Sequence, residues 1–282
     1  MKKVLIILAL FMAMPVMAQN NNAQQNVSVG ELSYMIKEQP KSELGTVVGA
    51  VLDVLAERTT EEQPGYVDAV RANVMTALSN VRRFIVSDGL QVAPNEGTNL
   101  IIDGTVNYIS TTRELRTRSD KKEKIPEFYA QIALTLNVKD VASGNVINSQ
   151  VFEVNKSSWS WFKSTDSAIK DALEGLRKKV VKHYNSLFPY SAQILERGTE
   201  KKDKQKELYI DLGASHGLQE GTHLTVYVIG SIGGKETRKQ IGRLKVNAVE
   251  GDEVSRCKVV SGGKDIKAAL DAGQQLLIIS TD

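Results

Sequence analysis

The sequence predicts a two-domain α+β protein, an α/β sandwich with a mostly antiparallel sheet followed by a small β-barrel. Three observations predict it. Residues 99–110, 128–141 and 145–154 are β-rich runs, the last two joined by the turn Val141-Ala-Ser-Gly144. Ile169, Ala172, Leu173, Leu176, Val180, Tyr184 and Leu187 recur at helical spacing and mark one long amphipathic helix over residues 164–187. Beyond residues 198–207, which hold no apolar side chain, the chain turns to short strands between Gly-rich turns.

Taken in order, the elements begin with an export signal over residues 1–18. Lys2-Lys3 precede an apolar run over residues 4–14, and Pro15-Val-Met-Ala18 place cleavage between Ala18 and Gln19. Eleven apolar residues fall short of the roughly 20 that span a bilayer, so no permanent anchor is expected. With Gln19 rather than Cys at the first mature position, no lipid anchor is expected either. Residues 19–26, almost all Asn and Gln, form a polar spacer.

The first domain is expected over residues 27–190. Alternation at Val27, Val29, Glu31 and Ser33 predicts a strand. Within residues 43–58, Leu44, Val47, Val48, Val51, Leu52 and Leu55 predict a helix, although Gly45, Gly49 and the valines keep a short buried strand in competition. After the turn Gln63-Pro64-Gly65, the positions Val67, Val70, Val74, Ala77, Leu78 and Val81 predict a second helix, leading into a strand at residues 83–88. In the long helix, Ser164, Thr165 and Asp166 are cap candidates. Arg177, Lys178, Lys179 and Lys182 sit where the helix dipole favours cations, and Pro189 ends it. Residues 191–206 read as a solvated linker and 207–282 as the barrel, with strands at 208–212, 224–229, 241–249, 254–260 and 276–279. Ser255, Cys257 and Val259 share one strand face, which predicts a buried thiol.

Composition excludes some functions. The chain sets 36 Lys and Arg against 33 Asp and Glu, a formal charge of +3, which becomes 3 − 2 = +1 once Lys2 and Lys3 are removed. That balance leaves no electrostatic footprint for nucleic acid. No Walker loop is present, and no cofactor is expected. His183, His216 and His223 with Cys257 match no metal-ligand spacing, so no metal is expected. Gly213-Ala-Ser-His-Gly217 has the letters of a nucleophile elbow, but too few residues follow before the next strand to hold the helix that motif needs. A Gly-rich turn is the better reading, and no catalytic residue is assigned.

Two aromatic residues are candidates for partner binding. Trp159 and Trp161 would share one strand face with Lys163, opposite Ser158, Ser160 and Phe162. They serve either as packing on the domain's own sheet or as a docking surface, for which Trp is suited by its large apolar area and polar N–H. The charged run over residues 113–124 reads as a solvated hairpin extension, with contact to anionic envelope polymers or lipid headgroups as the rival.

Residues 27–188 resemble the curli secretion channel family, CsgG, and its relatives with a TolB amino-terminal-like fold. The resemblance rests on Val81-Arg-Arg-Phe-Ile-Val86, Asn99-Leu-Ile-Ile-Asp-Gly-Thr-Val-Asn-Tyr108 and Gln131-Ile-Ala-Leu-Thr-Leu-Asn-Val-Lys-Asp-Val-Ala-Ser-Gly144. Ile210-Asp-Leu-Gly213, Gly217-Leu-Gln-Glu-Gly221 and Gln240-Ile-Gly-Arg-Leu-Lys-Val246 make the tail similar to the carboxyl-terminal domain of flagellar assembly protein T, which implies an SH3-like barrel. The curli channel crosses the outer membrane on two hairpins. Here the first insertion point, residues 111–124, carries nine charged residues in fourteen, on both strand faces, and the second, residues 156–163, is too short to cross and return.

The resemblance therefore implies a non-catalytic exported accessory or scaffold in assembly or secretion of an envelope complex. It implies a periplasmic location, with outer-membrane association left open, envelope proteins as partners, and room for a homo-oligomer. The alternatives are a periplasmic activator of peptidoglycan synthases, the penicillin-binding proteins, and a ring-forming outer-membrane channel subunit.

Overall fold

The computed structural model describes residues 22–35, 58–91, 97–117, 124–155 and 161–280. The signal cleavage site at Ala18 and Gln19, the helix or strand expected at 43–58 (but for Arg58), and Trp159 lie outside the described residues.

The first domain runs β1 (Gln25–Tyr34), β2 (Arg58–Glu62), α1 (Val67–Ser79), β3 (Phe84–Asp88), β4 (Leu100–Thr117), β5 (Lys124–Asp140), β6 (Val146–Val154) and α2 (Thr165–Leu187). Its sheet has the order β3-β1-β4-β5-β6, with β2 along the far half of β4. The hairpin-linked strands β4, β5 and β6 are antiparallel as expected, and Gly144 takes φ +70° in their turn. β1, however, runs parallel to both β3 and β4, so the sheet is mixed. Parallel neighbours need a crossover, and α1 supplies part of the one between β1 and β3.

Both helices lie on one face of this sheet. Val70, Val74 and Leu78 of α1, and Ile169, Leu176, Val180 and Tyr184 of α2, are buried against Val29, Ile102, Val106, Ile132, Leu134 and Leu136. Ser164 caps α2, its hydroxyl accepting from Ser167 N at 3.3 Å. Arg71 of α1 reaches across to the Asp88 carboxylate at 2.5 Å, which holds that carboxyl below its ordinary range. The opposite face is a polar ladder: Asn107 donates to Thr135 (3.0 Å), Lys139 pairs with Asp103 (3.0 Å) and Ser149 donates to Asn137 (2.7 Å).

The second domain contains β7 (Ser191–Ala192), β8 (Ile194–Arg197), β9 (Glu207–Ile210), β10 (His223–Ile232), β11 (Lys235–Val249), β12 (Ser255–Ser261), α3 (Gly263–Asp271) and β13 (Leu276–Ser280). Among the described residues its sheet has seven strands, all antiparallel, in the order β7-β13-β10-β11-β12-β9-β8. Since β7 and β8 adjoin in the chain, the two ends of the sheet nearly meet and the barrel is almost closed. Leu208, Ile210, Leu224, Val226, Leu244, Val246, Ile266 and Ile278 fill it, together with Cys257. Burial pushes the Cys257 thiol up to about 12, far from reactive thiolate.

Two expectations are corrected here. The stretch 191–206 is no free linker: β7 and β8 pair within the barrel, and Gln205 is fully buried, its amide donating to Glu207 O at 2.6 Å. The barrel also holds a helix, α3, where only strands and turns were expected. Gly262 at φ +76° starts it, and a Cβ there would stand 1.9 Å from Ile241 O.

The two domains are clasped at residues 188–191. Tyr190 is fully buried, and its hydroxyl lies within hydrogen-bond reach of the carbonyls of Arg82 (3.2 Å) and His216 (3.1 Å). Arg83 donates to Pro189 O (3.1 Å) and Ala23 O (2.9 Å), and Ser191 N donates to Asn22 Oδ1 (3.0 Å).

Candidate partner-binding site

β4 and β5 stay paired beyond the ends of β1 and β6, from Thr111↔Ala130 to Thr117↔Lys124. Both edges of this extension are occupied. On one side β2 pairs from Glu62↔Ser110 to Arg58↔Glu114. On the other, Phe128 and Phe162 exchange backbone hydrogen bonds of 2.8 and 2.7 Å. The hairpin extension expected over 113–124 is present in its described part, with Arg113 and Lys124 exposed and Glu114, Leu115 and Arg116 half-buried, while the segment beside it is packed: Thr111, Thr112 and Tyr129 are buried, and Glu127 is only 8% exposed. Charge patterning does not show the bracing, because neither β2 nor the Phe162 bridge is legible in the run itself.

Trp161 sits on this extension. Strand alternation sends Phe162 towards the main core and Trp161 to the face without helices, as the spacing predicts. The indole meets the Tyr129 ring edge-on, with centroids 5.1 Å apart and planes at 89°. The Arg116 guanidinium lies over the indole, 4.5 Å from its centroid, and its Nη1 stands 3.7 Å from a Glu127 oxygen. Beneath them the Thr60 and Thr112 hydroxyls pair at 2.8 Å. Trp161 thus packs on the β4–β5 hairpin and is half-buried there. Trp159 lies outside the described residues, and Arg116, Glu127 and Tyr129 are members of the cluster that sequence reading did not single out.

Other sequence candidates find structural places. Ser215 lies in a single 3-10 turn, its hydroxyl donating to Asp252 O at 2.6 Å, while His216 Nδ1 accepts from Gly213 N at 3.2 Å. Both groups are thereby spent on holding the turn. His183 packs edge-on to Phe152 and Tyr184 and reaches Asn148 at 3.2 Å, and burial lowers its pKa. Among the described residues no cluster of His, Cys, Asp or Glu could hold a metal ion. No helix among them is long and apolar enough to cross a membrane.

No family model matches the chain, and no curated protein matches it. Distant structural similarity is found to several solved proteins. The PelC dodecamer protein of Paraburkholderia phytofirmans matches at 13% identity and TM-score 0.32 over 57% of this chain and 86% of its own. A Xanthomonas campestris protein matches at 12% identity and TM-score 0.33, over 61% and 89% respectively. TolB of Acinetobacter baumannii matches at 10% identity and TM-score 0.26, over 84% and 60%. Nothing in these matches singles out the curli channel.

Proposed function

We propose that this protein is a non-catalytic exported accessory or scaffold that supports assembly or secretion of a cell-envelope complex through protein contacts. The observation that carries the reading is the Arg116–Trp161–Tyr129 stack. An aromatic and an Arg side chain, held in one geometry on a braced hairpin, form the kind of anchor that binding energy concentrates on, because little rotamer freedom remains to be lost. The export signal in the sequence puts that anchor in the envelope.

The test is affinity purification of the tagged protein from cross-linked envelope, with bound proteins identified by mass spectrometry. Wild type is compared with a variant carrying Trp159→Ala and Trp161→Ala whose folding is verified by circular dichroism. A recurrent envelope complex that disappears with the two tryptophans supports the reading. The same complex retained by the variant moves the site elsewhere, and no complex at all sinks the scaffold idea. Recovery of a penicillin-binding protein would turn the reading to the synthase activator.

A further inference from the structure

The two edges of the first sheet differ in how they are guarded. β3 is five residues long and ends on Asp88, bound by Arg71. β6 is nine residues long, and Val146-Ile-Asn-Ser-Gln-Val-Phe-Glu-Val154 holds no Lys, Arg or Pro, the residues that usually keep an edge from pairing. A bulge at Ile147 disturbs only its start and leaves residues 148–154 regular. Val151, in the middle of that regular stretch, is 54% exposed.

Backbone direction follows from the ladder. Val106 O accepts from Met35 N and Asn99 O accepts from Val141 N, so even-numbered residues in the first half of β4 face β1 and odd-numbered ones face β5. Alternation carries this through the register Leu134↔Phe152, Leu136↔Gln150 and Val138↔Asn148, which are the hydrogen-bonded pairs between β5 and β6. Ser149, Val151 and Glu153 therefore turn their backbone groups outward. Two of these outward carbonyls recruit side chains instead of a strand: Gln150 Nε2 donates to Val151 O (2.8 Å), and Lys179 Nζ donates to Glu153 O.

We propose that a second copy of this chain pairs along this edge, β6 to β6, antiparallel about a two-fold axis at Val151. The register is self-complementary. Val151 meets the partner's Val151, Ser149 meets the partner's Glu153, and Gln150 meets the partner's Phe152. Glu153, the single charged side chain of β6, opposes a hydroxyl rather than another carboxylate. Three hydrogen-bonded pairs form, with about six backbone bonds between them. The two sheets become one, and each covers an edge that, among the described residues, no strand of its own chain pairs with.

Sedimentation velocity of the full chain over a range of concentrations tests this, together with disulfide trapping. Wild type is expected to be a dimer. Val151→Lys sets two ammonium groups against each other at the axis and is expected to be a monomer with the circular dichroism spectrum of wild type, whereas Val151→Thr stays dimeric. In the paired register Val151 lies about 5.5 Å from the partner's Val151, within disulfide range, so Val151→Cys cross-links on oxidation. Ser149→Cys does not, because its two copies stand about 14 Å apart along the strands. Cys257, being buried, does not compete. A wild type that stays monomeric, a dimer that survives Val151→Lys, or cross-linking through Ser149→Cys but not Val151→Cys each overturns the proposal; a monomer that binds another protein through β6 would assign the edge to that protein.

Discussion

Each domain carries a long hairpin that outruns its neighbours, and the two are finished in opposite ways. The β4–β5 extension is flanked by β2 on one edge and by Phe162 on the other, and it buries Thr111, Thr112 and Tyr129. The β10–β11 arm has no such cover. β13 pairs with β10 only as far as Val228, and β12 reaches only to Arg243 of β11. Beyond them nearly every residue from Gly230 to Gln240 is exposed, and Ile232 at the tip is 75% exposed. Two strands alone bury little apolar surface, so a bare hairpin gains its shape from its turn, whereas a clad one gains it from tertiary packing. A braced hairpin can hold a Trp and an Arg in fixed relation; a bare one leaves its side chains free.

The largest effect that sharpens this contrast is expected from Tyr129→Ala, which empties the centre of the clad extension. It should lower stability by about 3–4 kcal/mol in denaturant unfolding. A loss under about 1 kcal/mol would mean that the extension is not packed as described. Thr112→Val breaks the hydroxyl pair with Thr60 at a fully buried position and should cost about 1 kcal/mol by the same measurement. Arg116→Gln removes a half-exposed cation from the Trp161 ring; it should cost about 0.5–1 kcal/mol and shift tryptophan emission, and unchanged emission would break the stack. Smallest of all, Ile232→Ser on the bare arm should stay within about 0.5 kcal/mol of wild type, with amides at the arm's tip exchanging far faster than those of the clad extension.

The same contrast explains how much the sequence showed. Helices α1 and α2, the three strands β4 to β6, and the face of Cys257 were legible because each buries a periodic set of its own side chains. Residues 263–271 were not, since α3 offers little more than Ile266, Ala269 and Leu270 to bury and begins with two glycines. β2, β7 and β8 are too short or too polar to carry a period, and the pairing partners of β2 and β7 lie far away in the chain. For the candidate site, the tryptophan pair was visible as residue types, and the alternation of Trp161 and Phe162 was readable as well.

By itself, then, the sequence determined where the chain builds a helix or a strand with one apolar side, and the division into an α/β part and a β part. These are local matters, settled by period, caps and turn residues. Tertiary structure alone decided that β1 pairs in parallel, that residues 191–197 close the barrel, and that a run of charged residues becomes a braced platform with Arg116 over Trp161. The reason is that burial belongs to a pair of surfaces: Thr112 and Tyr129 are buried by chain segments brought to them from elsewhere, and no window of the sequence contains both sides of that contact.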